Sequence, residues 1–271
     1  MDHKQIVFIA SFPKSGNTWV RCFLDAYFLG SLDINDLLST ITDNLPSPFQ
    51  VGDGTDITQE NFEIQQLTRH MGLLRMVRQY LSTEQEIPFF VKTHNANLLI
   101  NGCELIPDIL TKAAIVIIRD PRDVLPSFSS HMGVDMDTGA EWMQNKYRML
   151  RAQNTMMDFI SSWKGHTRSW LDAPTHSVLW VKYEDMKERP VEIFSKMLKH
   201  AGVEPDEKKV EAALEMVKLD KLKSIEAREG FQEQSPKAGQ FFGKKHDKIT
   251  PRQKHSIEKH CGRLMKRLGY V

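Results

Sequence analysis

The segment Ser11-Phe12-Pro13-Lys14-Ser15-Gly16-Asn17-Thr18-Trp19 gathers anion-binding chemistry at one junction of the chain. A short β-branched and aromatic run precedes it and a patterned stretch follows, so it reads as a loop from a strand into a helix. Successive backbone N–H groups at a helix N-terminus, opened by Gly16 and joined by Lys14, Ser15 and Thr18, make a concave site for a phosphate or sulfate. The nucleoside triphosphate loop GxxxxGK[ST] is absent, because Lys14 precedes Gly16 instead of following it. An ordinary turn with a capping serine is the competing reading. Arg119 ends the apolar run Ile115-Val116-Ile117-Ile118, and Ser127 follows it on the next turn. A guanidinium fork at a strand end gives bidentate contact to a phosphate, to which a serine adds a donor, although a salt bridge to Asp120 or Asp123 would account for Arg119 alone. His94 closes the run Val91-Lys92-Thr93-His94; a histidine at a strand end is structural unless anion loops share its edge of the sheet.

Four short apolar runs can bring these residues together: 5–10, Phe89 to Lys92, Ala113 to Ile118 and Val178 to Val181. Each suits a buried parallel strand. Helical patterning covers Thr18 to Leu29, Gln59 to Leu81, Asp137 to Leu171 and Val191 to Ala201. The alternation predicts an α/β fold with a doubly wound parallel sheet, whose ligands collect beyond the strand C-termini. Thr250 can cap a last helix with Pro251 at its first position; Ile257, Cys261, Leu264 and Leu268 recur at helical spacing before Gly269. Residues 31–60 read as an irregular loop or lid, and 228–249 are similar in character. No repeat or composition shift marks a boundary, so residues 1–271 are expected to form one domain.

At this point PKSGNTW resembles the PKSGTTW loop of the cytosolic-type sulfotransferases, which use 3′-phosphoadenosine 5′-phosphosulfate (PAPS). Independent support comes from Arg119-Asp120-Pro121-Arg122-Asp123 with Ser127, similar to that family's strand ending in Arg-x-Pro-[Lys/Arg]-Asp. Lys92-Thr93-His94 is similar to its Lys-[Ser/Thr]-His segment, and Tyr183-Glu184-Asp185 to its Tyr-Glu-Asp segment. The resemblance spans roughly residues 6–271. It implies a P-loop-like three-layer αβα sandwich with a central parallel sheet of about four or five strands. It also implies that Arg119 and Ser127 hold the 3′-phosphate, that Lys14, Ser15, Gly16, Asn17 and Thr18 of the anion loop bind the cofactor, and that Trp19 stacks on the adenine, with Tyr183 near the nucleotide. His94 becomes the catalytic base, with Lys14 and Lys92 at the leaving oxygen and the sulfuryl group. The C-terminal pattern departs from the family: Arg-Lys-Gly-x-x-Gly-x-Trp is replaced by Pro236-Lys237-Ala238-Gly239-Gln240-Phe241-Phe242-Gly243, so that Lys237 and Gly239 are substitutes for its closing residues.

Composition sets the remaining bounds. Hydrophobic residues at 41% and charged residues at 26% exclude disordered and fibrous classes. The formal net charge of +1 argues against nucleic acid as a partner, although residues 244–271 carry nine Lys or Arg against Asp247 and Glu258. No apolar stretch reaches the roughly 18 residues of a membrane span. Cys22, Cys103 and Cys261 are odd in number and far apart, which points to a reducing cytoplasm and against a cysteine metal site. The reading is therefore a PAPS-dependent transferase acting on a soluble small-molecule hydroxyl or amine, with no metal, no membrane and no nucleic-acid partner, a homodimer remaining open. A P-loop nucleotide kinase and a nucleotide-binding module without turnover are the alternatives.

Overall fold

The computed structural model describes residues 4–37, 59–83, 86–150, 156–172, 177–233, 239–244 and 246–271. In chain order the elements are β1 (Ile6–Ser11), α1 (Asn17–Leu29), α2 (Gln59–Leu81), β2 (Phe89–Thr93), β3 (Leu99–Ile100), β4 (Cys103–Glu104), β5 (Thr111–Ile118), α3 (Pro121–Met132), α4 (Met136–Gln144), β6 (Met149–Leu150), β7 (Asp158–Phe159), α5 (Trp163–Leu171), β8 (Ser177–Lys182), α6 (Tyr183–Glu188), α7 (Pro190–His200), α8 (Glu207–Met216), α9 (Leu219–Glu229) and α10 (Pro251–Arg267).

The central sheet has four strands in the order β2-β1-β5-β8, every neighbouring pair parallel. All six residues of β1 are buried, which only a strand covered on both faces allows. Strand alternation then sorts the side chains. Val7, Ile9, Ile115 and Ile117 pack with Val20 and Phe23 of α1 and Phe194 and Met197 of α7. Their neighbours Ile6, Phe8, Ala10, Ala114 and Val116 point the other way, onto Leu73 and Val77 of α2. Each valine, leucine, isoleucine, methionine or phenylalanine among them contributes about 1.5–3 kcal/mol on leaving water. The result is helix, sheet, helix, the three-layer α/β architecture that the alternation predicts.

One expectation fails. Asp137 to Leu171 is not a single helix: α4 stops at Gln144, the antiparallel pair β6–β7 intervenes, and α5 begins after Ser162. Local polar chemistry overrides the periodicity. Asn145 Oδ1 accepts from Tyr147 N, Ser161 adopts φ 57°, and the Ser162 side chain accepts from Gly165 N as the cap of α5. At the other end the reading holds, since Thr250 and Gln253 form a reciprocal capping box ahead of Pro251. Most of the expected 31–60 loop, residues 38–58, lies outside the described residues. Among the described residues no helix is long and apolar enough to cross a membrane.

Candidate functional site

Because the four strands run parallel, their C-terminal ends share one edge of the sheet. Ser11, Thr93, Ile118 and Lys182 end β1, β2, β5 and β8, so the segments beginning with Phe12, His94, Arg119 and Tyr183 all emerge there. One edge thus receives the anion loop, the histidine, the arginine and the tyrosine.

The loop between β1 and α1 takes a shape that its residues dictate. Lys14 has φ 67° and Gly16 has φ 108°, and Gly16 serves as the N-cap without any side-chain cap. A Cβ at Gly16 would lie 2.6 Å from Cδ2 of the Tyr183 ring, so both dihedral and space require glycine. Ser15 does not cap the helix. Its hydroxyl is buried and has no partner, a donor facing the loop with nothing of the protein to bind. The Asn17 amide donates to Ile9 O at 2.9 Å and to Ser11 Oγ at 3.3 Å, tying the loop back to its own strand. The side-chain donors of Asn17 are therefore engaged inside the loop, and its backbone N–H is one of the orphans of the first helical turn.

Arg119 joins this loop from β5. Its Nη1 donates to Lys14 O at 3.2 Å, its guanidinium stacks on the Tyr183 ring at 4.5 Å, and its buried Nε has no partner. The salt bridge that could have explained it is absent among the described residues; Asp120 instead caps α3 and pairs with Arg122. Tyr183 therefore touches Gly16, Arg119 and also Trp19, edge-on at 6.1 Å. Trp19 in turn packs on Phe194 at 5.4 Å. Thr18 is half-buried in the first turn of α1 and Ser127 is buried on α3.

His94 Nδ1 lies 2.8 Å from Ser11 O. A carbonyl can only accept, so Nδ1 carries the proton and Nε2 keeps its lone pair. Burial, and next the charge of Lys92, push the imidazole down to about 3 against the opposing pull of the Ser11 carbonyl, which leaves it neutral at physiological pH. His166 is buried, its imidazole held neutral by burial, and Trp170 Nε1 donates to Asn95 O, next to His94, at 3.2 Å. Lys14 is also shifted. Burial lowers it most, Glu233 pulls it back, and Arg119 and Lys92 push it down again, to about 7. Its ammonium sits 3.5 Å over the Phe241 ring.

Lys14, Gly16, Trp19, His94, Arg119 and Tyr183 are thus brought to one edge in mutual contact or one residue apart, and Lys92 reaches the same place through Glu233. Gly239 is described, with φ 65°, whereas Lys237 lies outside the described residues. Sequence reading missed Arg21, Glu233, Phe241 and His166. Arg21 left a signal, being a charge inside the apolar stripe of α1, and its side chain is 0% exposed. The others meet the site only through tertiary contacts.

Comparison with known proteins points the same way. The sequence model of the sulfotransferase domain family matches residues 4–269. Luciferin sulfotransferase of Photinus pyralis is 25% identical over 272 residues, covering 96% of this chain; the chain spans 64% of that relative's length. Among solved structures, retinol dehydratase in complex with androsterone and the inactive cofactor PAP aligns with a TM-score of 0.61 at 18% identity, covering 97% of this chain and 81% of the other. The same enzyme with retinol and PAP gives a TM-score of 0.60 at 18% identity and the same coverage. A mouse sulfotransferase complexed with PAP gives 0.58 at 17% identity, covering 100% of this chain and 90% of the other. At these identities the structural likenesses establish the fold.

Proposed function

The chain belongs to the sulfotransferase domain family, and from that premise and the geometry of the edge site we propose that it moves a sulfuryl group from PAPS to a hydroxyl or amine of a small molecule. The observation that carries this reading is the neutral His94, its Nδ1–H committed to Ser11 O and its Nε2 left as a base, beside a loop with unpartnered buried donors at Ser15 and Arg119. Such donors fit a polyanionic nucleotide, because a buried N–H or O–H without a partner costs about 1–3 kcal/mol until an acceptor arrives.

In the proposed reaction the acceptor oxygen or nitrogen forms a bond to sulfur while the bond from sulfur to the bridging oxygen breaks, and 3′,5′-bisphosphoadenosine (PAP) leaves. His94 Nε2 takes the acceptor proton. Lys14 neutralises the charge growing on the bridging oxygen, and Lys92 contacts the sulfuryl oxygens. Ser15 Oγ and the backbone N–H groups of Gly16, Asn17 and Thr18 hold the 5′-phosphate. Arg119 and Ser127 hold the 3′-phosphate, Trp19 stacks on adenine, and Tyr183 keeps Arg119 in plane. Lys237 and Gly239 close the site. The scheme routes no step through a metal. Residues 1–271 act as one domain, and the three unpaired cysteines suit the cytoplasm. Neighbours in fold bind androsterone or retinol, which supports a small-molecule acceptor here.

Incubation with PAPS and a panel of phenols, alcohols and amines, in buffer containing EDTA, tests the proposal: sulfated product and PAP should form in equal amounts. No product from any acceptor class, with PAP still bound, would leave a binding module in place of an enzyme.

A proton accompanies donor binding. Lys14 sits at about 7, so above that pH it is largely neutral, and an arriving anion raises its pKa and draws in a proton. Calorimetry of PAP binding in buffers of different ionisation enthalpy should therefore show uptake of about one proton at pH 8 and almost none at pH 6, with affinity falling as the pH rises past 7. Identical enthalpies in all buffers at pH 8 would show that Lys14 does not titrate there.

A further inference from the structure

Asn95 follows His94 directly and is 0% exposed, a burial that a polar residue keeps only where its hydrogen bonds are met. All four of its polar groups are engaged. Its N–H donates to Thr93 Oγ1 at 3.0 Å, and its carbonyl accepts from Trp170 Nε1 at 3.2 Å. Its Oδ1 accepts from Phe159 N at 2.9 Å, and its Nδ2 donates to Asp158 Oδ1 at 3.1 Å. Elements β2, β7 and α5 thus hold one residue together. Asp158 is itself held by Arg69 of α2, whose Nη2 lies 3.3 Å from Asp158 Oδ1 and donates to Met157 O at 2.8 Å, while its Nη1 donates to Gln66 Oε1 at 3.0 Å. The contacts run from α2 through β7 to the peptide bond between His94 and Asn95.

We infer that Asn95 is a positioning residue for His94, and that Asp158 and Arg69 keep the asparagine in the orientation which the histidine requires. The inference rests on the reading of His94 as the base. His94 leaves the sheet where β2 ends at Thr93, and the second side-chain torsion of a histidine is broad, so the hydrogen bond from Nδ1 to Ser11 O secures the ring but not the main chain that carries it. Asn95 secures the main chain. The combination matters because a displacement of about 1 Å in a reacting group costs about 10²-fold in rate. An amide suits this place for a chemical reason: it offers an acceptor to Phe159 N and a donor to Asp158 at once. A carboxylate there would still accept from Phe159 N but would meet Asp158 as a like charge.

The test compares Asn95→Asp with the double substitution Asn95→Asp, Asp158→Asn, which returns a donor to the pair with the partners exchanged. Four quantities are read for each: single-turnover rate with saturating PAPS and the acceptor that gives product, PAP affinity, melting temperature, and the ¹⁵N spectrum of histidine-labelled protein without substrate. The His94 signals are those missing from His94→Ala. Asn95→Asp should lower the rate about 10- to 100-fold, leave PAP affinity within about twofold, and turn the single Nδ1–H form of His94 into a mixture of tautomers. The double variant should regain the rate to within about threefold, together with the single tautomer. A folded Asn95→Asp with rate and tautomer unaltered overturns the inference. So does a loss of PAP affinity as large as the loss of rate, which makes Asn95 a support of the whole edge, and so does a double variant no faster than the single one. Should Asn95→Asp not fold, Trp170→Phe, which removes the donor to Asn95 O, carries the same expectations for rate, affinity and tautomer. Absence of product from every acceptor in the unaltered protein would instead reject the sulfotransferase reading, and the tautomer of His94 would still decide whether Asn95 fixes the ring.

Discussion

Replacing His94 with alanine is expected to lower kcat by about 10² to 10⁴ while leaving PAP affinity near that of the unaltered protein. The asymmetry comes from geometry. His94 meets the anion loop at Ser11, whose carbonyl lies 2.8 Å and whose hydroxyl lies 3.5 Å from Nδ1, and every donor assigned to the nucleotide lies on other residues. The pH profile should agree: with the imidazole at about 3, the base is already neutral at pH 5, so the rate should show no rising limb centred near 6.5, where an unshifted histidine would place one. Single-turnover rates with saturating PAPS give the chemical step directly. A variant that keeps more than about a tenth of the rate would remove His94 from the role of base.

Arg119→Ala should act on binding instead. Its guanidinium would lose charge-assisted contact with the 3′-phosphate, about 1.5–3 kcal/mol for each such hydrogen bond, and PAP affinity should drop roughly 10- to 100-fold. A second loss accompanies the first, because Arg119 Nη1 holds Lys14 O at 3.2 Å and its plane lies on Tyr183. Arg119→Lys should rescue little, since a lysine keeps the charge but not the planar fork that serves loop, ring and phosphate together. Affinity for PAP unchanged in Arg119→Ala would place the 3′-phosphate elsewhere.

The sequence revealed what is carried by contiguous residues. Ile6–Ala10 and Ala113–Ile118 are apolar throughout, which in a short run means a strand buried on both faces. PKSGNTW placed glycine where φ is 108° and where the Tyr183 ring leaves no room for a Cβ. Helix α3 escaped notice, because Pro126 interrupts its pattern and because Asp120-Pro121, which caps and starts it, sits inside the anion motif. The break at 145–162 was hidden since Met143, Met156 and Trp163 are all apolar and all core, whichever elements carry them. The grip of Glu233 on Lys92 and Arg21 joins residues 141 and 212 positions apart, and no local pattern encodes such a pairing. Arg21 and Asp25 within the buried stripe of α1 hint that charges must be met inside the fold, but the partner is fixed only by tertiary packing.

The proposed reaction requires that this edge bind a 3′-phosphorylated adenine nucleotide without help from a metal. Calorimetric titration with PAP, ADP and ATP, first with EDTA and then with Mg²⁺, tests it most directly. Micromolar binding of PAP that is indifferent to Mg²⁺ is expected, with ADP and ATP weaker by the loss of the Arg119 and Ser127 contacts. Preference for ATP that emerges only with Mg²⁺ would contradict it and identify a nucleotide kinase in place of a sulfotransferase.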